Sequence, residues 1–333
     1  MEDKKISMVD IAKLSGVSIA TVSRVLNKNG RYSKETEDRV LKVIQEHNYK
    51  VNVNAKGLRT KRTQTIGVIV PDITNEFFSQ IVRAIERYIV PKGYTVFVCD
   101  SNEKEEAEDI HISSLAAKGV DGIIYISTRG DVKKIYESYK IPVVYIDRRP
   151  QNAGTLVISD NEMGGFLATQ ELIEKGCRHI LMLKDTKPFS TVVHRYKGYV
   201  GALEKYKIPF DPELVIETEV SYAAARKATK EALLAHPEMD GIFCNNDMMA
   251  LGALHALREA KRKVPRDVKL VGFDGISLTE ICDPPMTTVR QNTDELGKKS
   301  VEILLRRIHK KQDAKFHDEV VVIPVELVRR KTT

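Results

Sequence analysis

The chain has 333 residues, 42% of them hydrophobic and 30% charged, with a net charge of +7. That length has room for two or three domains of roughly 100–200 residues, and the balance of apolar and charged residues excludes a fibre, a disordered tail or a membrane protein. The charge is unevenly placed: residues 1–63 carry 14 Lys and Arg against 7 Asp and Glu, which is the whole excess, and the remainder of the chain is neutral.

The first 50 residues read as short helices. Val9, Ile11, Ala12 and Leu14 have helical spacing, and Ser15-Gly16-Val17 is a tight turn. Ser18 can cap a second helix, whose Val22, Val25 and Leu26 form an apolar stripe. Ser33 caps a third, with Glu35, Glu37 and Asp38 where the helix dipole favours them and Val40, Val43 and Ile44 on the buried face. Residues 51–64 set Lys56, Arg59, Lys61 and Arg62 around Ala55 and Leu58, too little apolar surface to fold alone. This segment reads as a linker that becomes helical when bound.

From residue 65 the pattern is strand–helix alternation. Ile66–Val70 is a buried-strand run, followed by a helix through Ile81, Ile85 and Ile89. Runs at Thr95–Cys99, Gly122–Ser127 and Pro142–Asp147 continue the rhythm, which restarts at Ile180–Leu183, Leu214–Glu217, Gly241–Cys244 and Lys269–Phe273. Such alternation predicts an α/β body of parallel sheets covered by helices. The repeated Asp121-Gly122-Ile123 and Asp240-Gly241-Ile242 hint at two similar halves.

Two short helices at a Gly-containing turn form a helix-turn-helix, whose second helix enters the major groove N-terminus first. Ile19, Ala20, Thr21, Ser23 and Arg24 are the candidate readers; Arg24 can make a bidentate contact to guanine. The bland alternative is an unspecific three-helix bundle. In the body, open α/β sheets bind ligands beyond the carboxyl ends of their strands, and those ends are polar here. Asn75, Phe77 and Phe78 follow the first strand, Asp147 and Arg148 end the fourth, and Asn246, Asp274 and Gln291 follow later ones; Arg195 opens a helix. Amides, carboxylates and arginines beside flat aromatics suit a polyhydroxyl ligand. Asp147 and Asp274 could instead be caps, and Arg195 a surface ion pair; of Phe77 and Phe78, one is expected to pack inward.

The segments Val9-Asp10-Ile11-Ala12, Gly16-Val17-Ser18, Thr21-Val22-Ser23-Arg24-Val25-Leu26-Asn27 and Asn48-Tyr49 closely resemble the DNA-binding head of the lactose-repressor/galactose-repressor (LacI/GalR) family. The resemblance covers the whole chain. It implies that Asn52, Ala55 and Leu58 belong to a hinge helix that docks in the minor groove, with Leu58 as the wedge between base pairs. It also implies phosphate or flank contacts from Ser7, Asn27, Arg31 and Tyr49. Met8 stands where several members carry tyrosine. The expected division is residues 1–50 as the DNA-binding head, 51–64 as the hinge, and 65–333 as an effector-binding and dimerisation body. Its N-terminal lobe takes about 65–159 and 292–323, its C-terminal lobe about 160–291 and 324–333.

The body is similar to periplasmic sugar-binding proteins of the ribose type. That likeness implies effector contacts at Asn75, Phe77, Phe78, Asp147, Arg148, Arg195, Asn246, Asp274 and Gln291, with Tyr222 as an aromatic lid. Ser127 stands where the pattern has asparagine, and Phe189 where the purine-responsive relative has arginine. A sugar acid or sugar phosphate stays open through Arg148, Arg195, Lys184 or Lys187.

The expected protein is a sugar-responsive repressor that binds a near-palindromic operator in double-stranded DNA as a homodimer and is released when a pentose or hexose enters between the lobes. The alternatives are a catabolite-control regulator answering to a phosphorylated carrier protein, or a regulator of sugar-acid metabolism. A transport protein fits the body, but not the basic head or the polar start Met1-Glu2-Asp3-Lys4-Lys5. An enzyme is not expected: Pro71-Asp72-Ile73-Thr74 replaces any Gly-x-Gly-x-x-Gly after the first strand. Cys99, Cys177, Cys244 and Cys282 are too scattered for a metal spacing. No cofactor and no metal are expected, the setting is the cytoplasm, and no heptad tail follows Arg330, which favours a dimer.

Overall fold

The computed structural model describes residues 6–26, 28–49, 62–129, 139–151, 153–309 and 318–333. It divides into two compact units, Met1–Thr63 and Gln64–Thr333.

The first unit holds α1 (Met8–Ser15), α2 (Ile19–Leu26) and α3 (Lys34–Glu46). Ser7 and Asp10 cap α1 reciprocally: the Asp10 N–H donates to Ser7 Oγ at 3.3 Å and the Ser7 N–H to Asp10 Oδ2 at 2.9 Å. Gly16 ends the helix in the left-handed region at φ 66°, which a side chain rarely adopts. The Thr21 N–H donates to Ser18 Oγ at 3.1 Å and starts α2. Ile11, Ala12, Val22, Val25 and Val40 form the small core where the three helices meet.

The second unit is built on two six-stranded sheets. The first joins β1 (Thr65–Val70), β2 (Thr95–Asp100), β3 (Gly122–Tyr125), β4 (Val143–Ile146), β5 (Leu156–Ser159) and β11 (Val320–Ile323), in the order β11-β5-β4-β3-β1-β2. Every pairing in it is parallel. Its central strands β1, β3 and β4 are apolar and buried on both faces, because helices cover both, whereas the edge strands β2 and β11 are largely exposed. Val68, Ile124 and Ile146 face α4 (Glu76–Ile89) and α11 (Thr293–His309), while Ile69, Ile123 and Tyr125 lie on the side of α5 (Glu105–Ala117).

The second sheet runs β12-β10-β9-β8-β6-β7, with β6 at Ile180–Asp185, β7 at Val215–Thr218, β8 at Gly241–Cys244, β9 at Lys269–Asp274, β10 at Thr287–Arg290 and β12 at Glu326–Val328. All its pairs are parallel except β10 with β12. Around it lie α6 (Asn161–Glu174), α7 (Ser190–Lys205), α8 (Tyr222–Ala235), α9 (Asp247–Glu259) and the short α10 (Leu278–Ile281). The chain passes between the sheets at β5–α6, β10–α11 and β11–β12, so each lobe is assembled from discontinuous segments. The runs named in the sequence became strands; β5, β11 and β12 were not among them, although β5 and β11 are as long as β3 and β4.

No helix among the described residues is long and apolar enough to cross a membrane. The four cysteines are free thiols, and burial pushes the Cys177 thiol up to about 12.

Candidate functional site

In the first unit, Ser18, Ile19, Ala20, Arg24 and Arg31 are exposed, a polar and apolar surface led by the N-terminal half of α2. Two expected readers are less exposed. Ser23 is only 9% exposed, although it stands one turn from the exposed Ile19 on nearly the same side of the helix. Thr21 is half-buried, with its hydroxyl 2.9 Å from Ser18 Oγ. The Ser7 hydroxyl is engaged with Asp10 Oδ2 at 2.6 Å, and the Tyr49 ring packs on the core. Asn27, Asn52, Ala55 and Leu58 lie outside the described residues.

The second unit contains a cleft of 520 Å³ between the carboxyl ends of its two sheets. Asn75, Phe77, Phe78, Asp147 and Arg148 line it from the first sheet; Arg195, Asn246 and Asp274 line it from the second. Asn75 and Asn246 cap helices and still face the cleft. Asn75 Oδ1 accepts from the Phe77 N–H at 3.0 Å and Asn246 Oδ1 from the Met249 N–H at 2.8 Å. The cap uses only the carbonyl oxygen, so each amide keeps its NH2 donors for a ligand. Phe77 and Phe78 are both buried, with ring centroids 5.3 Å apart, so both serve core and cleft wall.

Arg195 organises the floor. Its Nε donates to Asn161 Oδ1 at 2.8 Å, its Nη1 lies 3.6 Å from Asp274 Oδ1, and its guanidinium covers the Phe273 ring at 3.7 Å. It therefore reaches this place as a buried ion pair, not a surface one. Gln291 lies behind the floor, outside the cleft lining, where its Nε2 donates to Asp274 Oδ1 at 2.8 Å. Its role is to hold the carboxylate.

Besides Gln291, two more of the expected contacts, Ser127 and Tyr222, are absent from the lining. Ser127 is buried beyond β3, and its Oγ accepts from the Arg129 N–H at 3.0 Å. Tyr222 starts α8 with its ring turned outward, where its hydroxyl meets His255 of α9. The α8–α9 pairing holds the ring there, and Val220 and Ser221 stand at the cleft instead.

Residues that the motif comparison did not single out also line the cleft, among them Glu103, Asp185 and Asn245. Each follows or ends a strand, so the rule of strand carboxyl ends could have found them. Arg148 donates from Nη2 to Glu103 Oε1 at 2.8 Å and stacks on the Phe189 ring at 3.9 Å.

The cleft is polar, and several of its buried atoms have no partner within the protein. Asp147 Oδ1, Arg148 Nη1 and Asn245 Oδ1 are buried and find no partner in the protein. Such atoms cost free energy unless a ligand pairs them. Burial raises the Asp147 carboxyl above its ordinary range, although Arg195 and Arg148 pull it down. Asp247 and Asp274 are likewise raised, first by burial, then by the neighbouring carboxylate of Asp274 for Asp247 and of Asp147 for Asp274. The cations named for an anionic ligand are each paired: Lys184 by Glu217, Lys187 and Arg148 by Glu103, and Arg195 by Asp274; Lys104, which also lines the cleft, forms no ion pair among the described residues. The described residues contain no cluster of ligands suited to a metal ion.

Residues 7–52 match the family model described as bacterial regulatory proteins, lacI family, and residues 63–331 match that of periplasmic binding proteins and the sugar binding domain of the LacI family. The chain belongs to the LacI family. Among its relatives is the ribose operon repressor of Halalkalibacterium halodurans, 39% identical over 97% of this chain and 96% of that one. A lac repressor dimer bound to operator and an anti-inducer is 28% identical, covers 99% of both chains and superposes with a TM-score of 0.88. A LacI family transcriptional regulator from Enterococcus faecium, solved with bound ribose, is 31% identical over 81% of this chain and 98% of its own, with a TM-score of 0.72.

Proposed function

We propose that this LacI-family chain is a sugar-responsive transcriptional repressor with ribose, or a closely similar neutral pentose, as its effector. The observation that carries the reading is the cleft: buried, unpaired donor and acceptor atoms from Asp147, Arg148 and Asn245, bounded by Phe77, Phe78 and Phe189. Hydroxyl groups both donate and accept, so a sugar can satisfy a carboxylate, a guanidinium and an amide together, while its C–H faces cover aromatic rings. Pairing of Arg148, Lys187 and Arg195 by carboxylates, and a lining in which carboxylates outnumber cations, favour a neutral sugar over a sugar acid or phosphate. The ribose operon repressor relative and the ribose-bound neighbour support the same ligand.

The basic first unit supplies the DNA end of the function. Its exposed Arg24 reads bases, and its excess positive charge binds phosphates in a salt-dependent manner. The protein acts in the cytoplasm as a homodimer on a near-palindromic operator, and catalyses no reaction. Residues 1–50 form the head, 51–64 the hinge and 65–333 the effector body.

A thermal-shift screen of the full chain against pentoses, hexoses, sugar acids and purines tests the effector. Ligand at a hundred times its Kd stabilises the folded state by about 2.7 kcal/mol, so ribose should stand out. A purine or sugar acid as the only stabilising compound would overturn the ribose assignment.

A further inference from the structure

We propose that Glu103 is the counter-ion that makes the cleft accept a neutral sugar and refuse the same sugar as a phosphate ester or an acid. The proposal rests on the reading of the cleft as a sugar site. Glu103 follows β2 in the first lobe, with its side chain 31% exposed at the cleft mouth. Its Oε1 accepts from Arg148 Nη2 at 2.8 Å, and its Oε2 is paired with the Lys187 ammonium. Lys187 follows β6 in the other lobe, so one carboxylate joins a cation from each side of the mouth. Burial opposes the charge of Glu103, but Arg148 and Lys187 outweigh it and hold the carboxyl below its usual range, so it is ionised at neutral pH.

This arrangement has a direct consequence for specificity. Arg148 and Lys187 are the pair that an anionic substituent of a ligand would seek, since guanidinium and ammonium groups form their strongest hydrogen bonds with carboxylate or phosphate oxygen. Glu103 already stands between them, fixed to the same chain, and an incoming anion must displace it. Asp72, Asp185 and Glu219 line the same cleft against one further cation, Lys104, so the surplus beyond the Glu103 pair is negative and opposes a second anion. Without the Glu103 carboxylate, two cations would face one gap of carboxylate or phosphate size. A neutral hydroxyl need not displace Glu103, because Asp147 Oδ1 and the second amino group of Arg148, Nη1, are buried and unpaired and can accept from and donate to it.

The test uses the full-length protein and Glu103→Gln, titrated calorimetrically with ribose, ribose 5-phosphate and ribonate, and melted with inorganic phosphate. The wild type should prefer ribose over ribose 5-phosphate, and inorganic phosphate should not stabilise it. In E103Q the preference should fall about tenfold or more through a gain in affinity for the phosphate ester, the scale of one charge-assisted hydrogen bond. Inorganic phosphate should then raise its melting temperature. Glu103→Asp should keep the neutral preference, and Glu103→Gln with Lys187→Gln should lose the gain; these are readouts that a merely structural role would not move. Glu103→Ser removes the same charge and replaces E103Q if that variant does not fold. An unchanged ratio without phosphate stabilisation, or a wild type that prefers the phosphate ester, overturns the proposal. If no neutral sugar stabilises the wild type while E103Q still gains phosphate binding, the sugar reading falls and the counter-ion role stands.

Discussion

Asp147→Asn should strengthen the free protein and weaken its hold on sugar. Asp147 follows β4 at φ 65°, a left-handed conformation that asparagine also tolerates, so the exchange keeps shape and backbone. The side chain is 4% exposed and its Oδ1 has no partner. Burial disfavours the carboxylate more than Arg195 and Arg148 favour it, so the folded-state pKa is raised. A carboxyl raised in this way contributes stability below its unfolded pKa of about 4, and that contribution is lost as pH rises through the folded value. Asparagine carries no charge and so escapes the burial penalty of the carboxylate, which the two arginines offset only in part; a gain of about 1 kcal/mol is expected above neutral pH. In a body of this size that is a rise of about 2–4 °C in melting temperature. The gain should shrink toward pH 4, where the wild-type group is already neutral. Sugar binding should move the other way. A hydrogen bond to a charged group is worth about 1.5–3 kcal/mol, so the ribose Kd should rise by about 10- to 150-fold. Melting at pH 5 and pH 8 with calorimetric titration of ribose reads both effects. A variant less stable at pH 8, or one that binds ribose as tightly as the wild type, would refute the reasoning.

Arg24→Ala should lose about 1–3 kcal/mol of discrimination at one base pair; gel shifts on duplexes altered at single positions measure it, and a uniform loss on every sequence sinks the base-reading role. Leu58→Ala should reduce operator affinity much more than affinity for random DNA, since only the operator complex contains the kink; equal losses in a competition assay argue against a wedge. Gly165→Ala should destabilise the second unit by about 1–3 kcal/mol through overpacking. A Cβ at Gly165 would lie 2.1 Å from the Arg195 carbonyl oxygen, where α6 and α7 cross. The same shift should displace Arg195 and weaken sugar binding, and a melting curve identical to wild type contradicts the packing account.

The sequence was legible where one physical rule governs a residue. Strand runs such as Ile66–Val70 are apolar throughout because helices cover both faces, and Asp147, Asn246 and Asp274 stand where strands end in a polar crevice. It was least legible where a neighbour remote in sequence decides an orientation. Tyr222 lies next to the lining residue Ser221, but its ring is claimed by His255 across the α8–α9 contact, 33 residues away. Ser23 sits one turn from the exposed Ile19 and is nevertheless only 9% exposed, which helix periodicity alone does not foretell. Gln291 reaches the site only through Asp274, and Glu103 acquires meaning only once Lys187 is brought to it from the other lobe.

The same cross-lobe geometry bears on how sugar can be felt elsewhere in the chain. Besides Glu103 with Lys187, the Ser277 N–H and hydroxyl both donate to Glu76 at 2.9 Å, and the Arg149 N–H donates to Ser190 Oγ at 2.7 Å. A ligand held by Asp147 and Arg148 on one side and by Arg195 and Asn246 on the other adds its own bonds to this set, and so favours the arrangement in which the lobes are drawn together. If operator DNA favours a different arrangement of the same lobes, the two ligands are coupled, and thermodynamics makes the coupling reciprocal. Sugar that weakens operator binding by about 5- to 150-fold must be weakened by operator to the same extent, a coupling of about 1–3 kcal/mol. Titrating ribose into the free protein and into the operator complex at one salt concentration measures this. Equal affinities would mean that the cleft and the DNA-binding head share a chain without sharing an equilibrium.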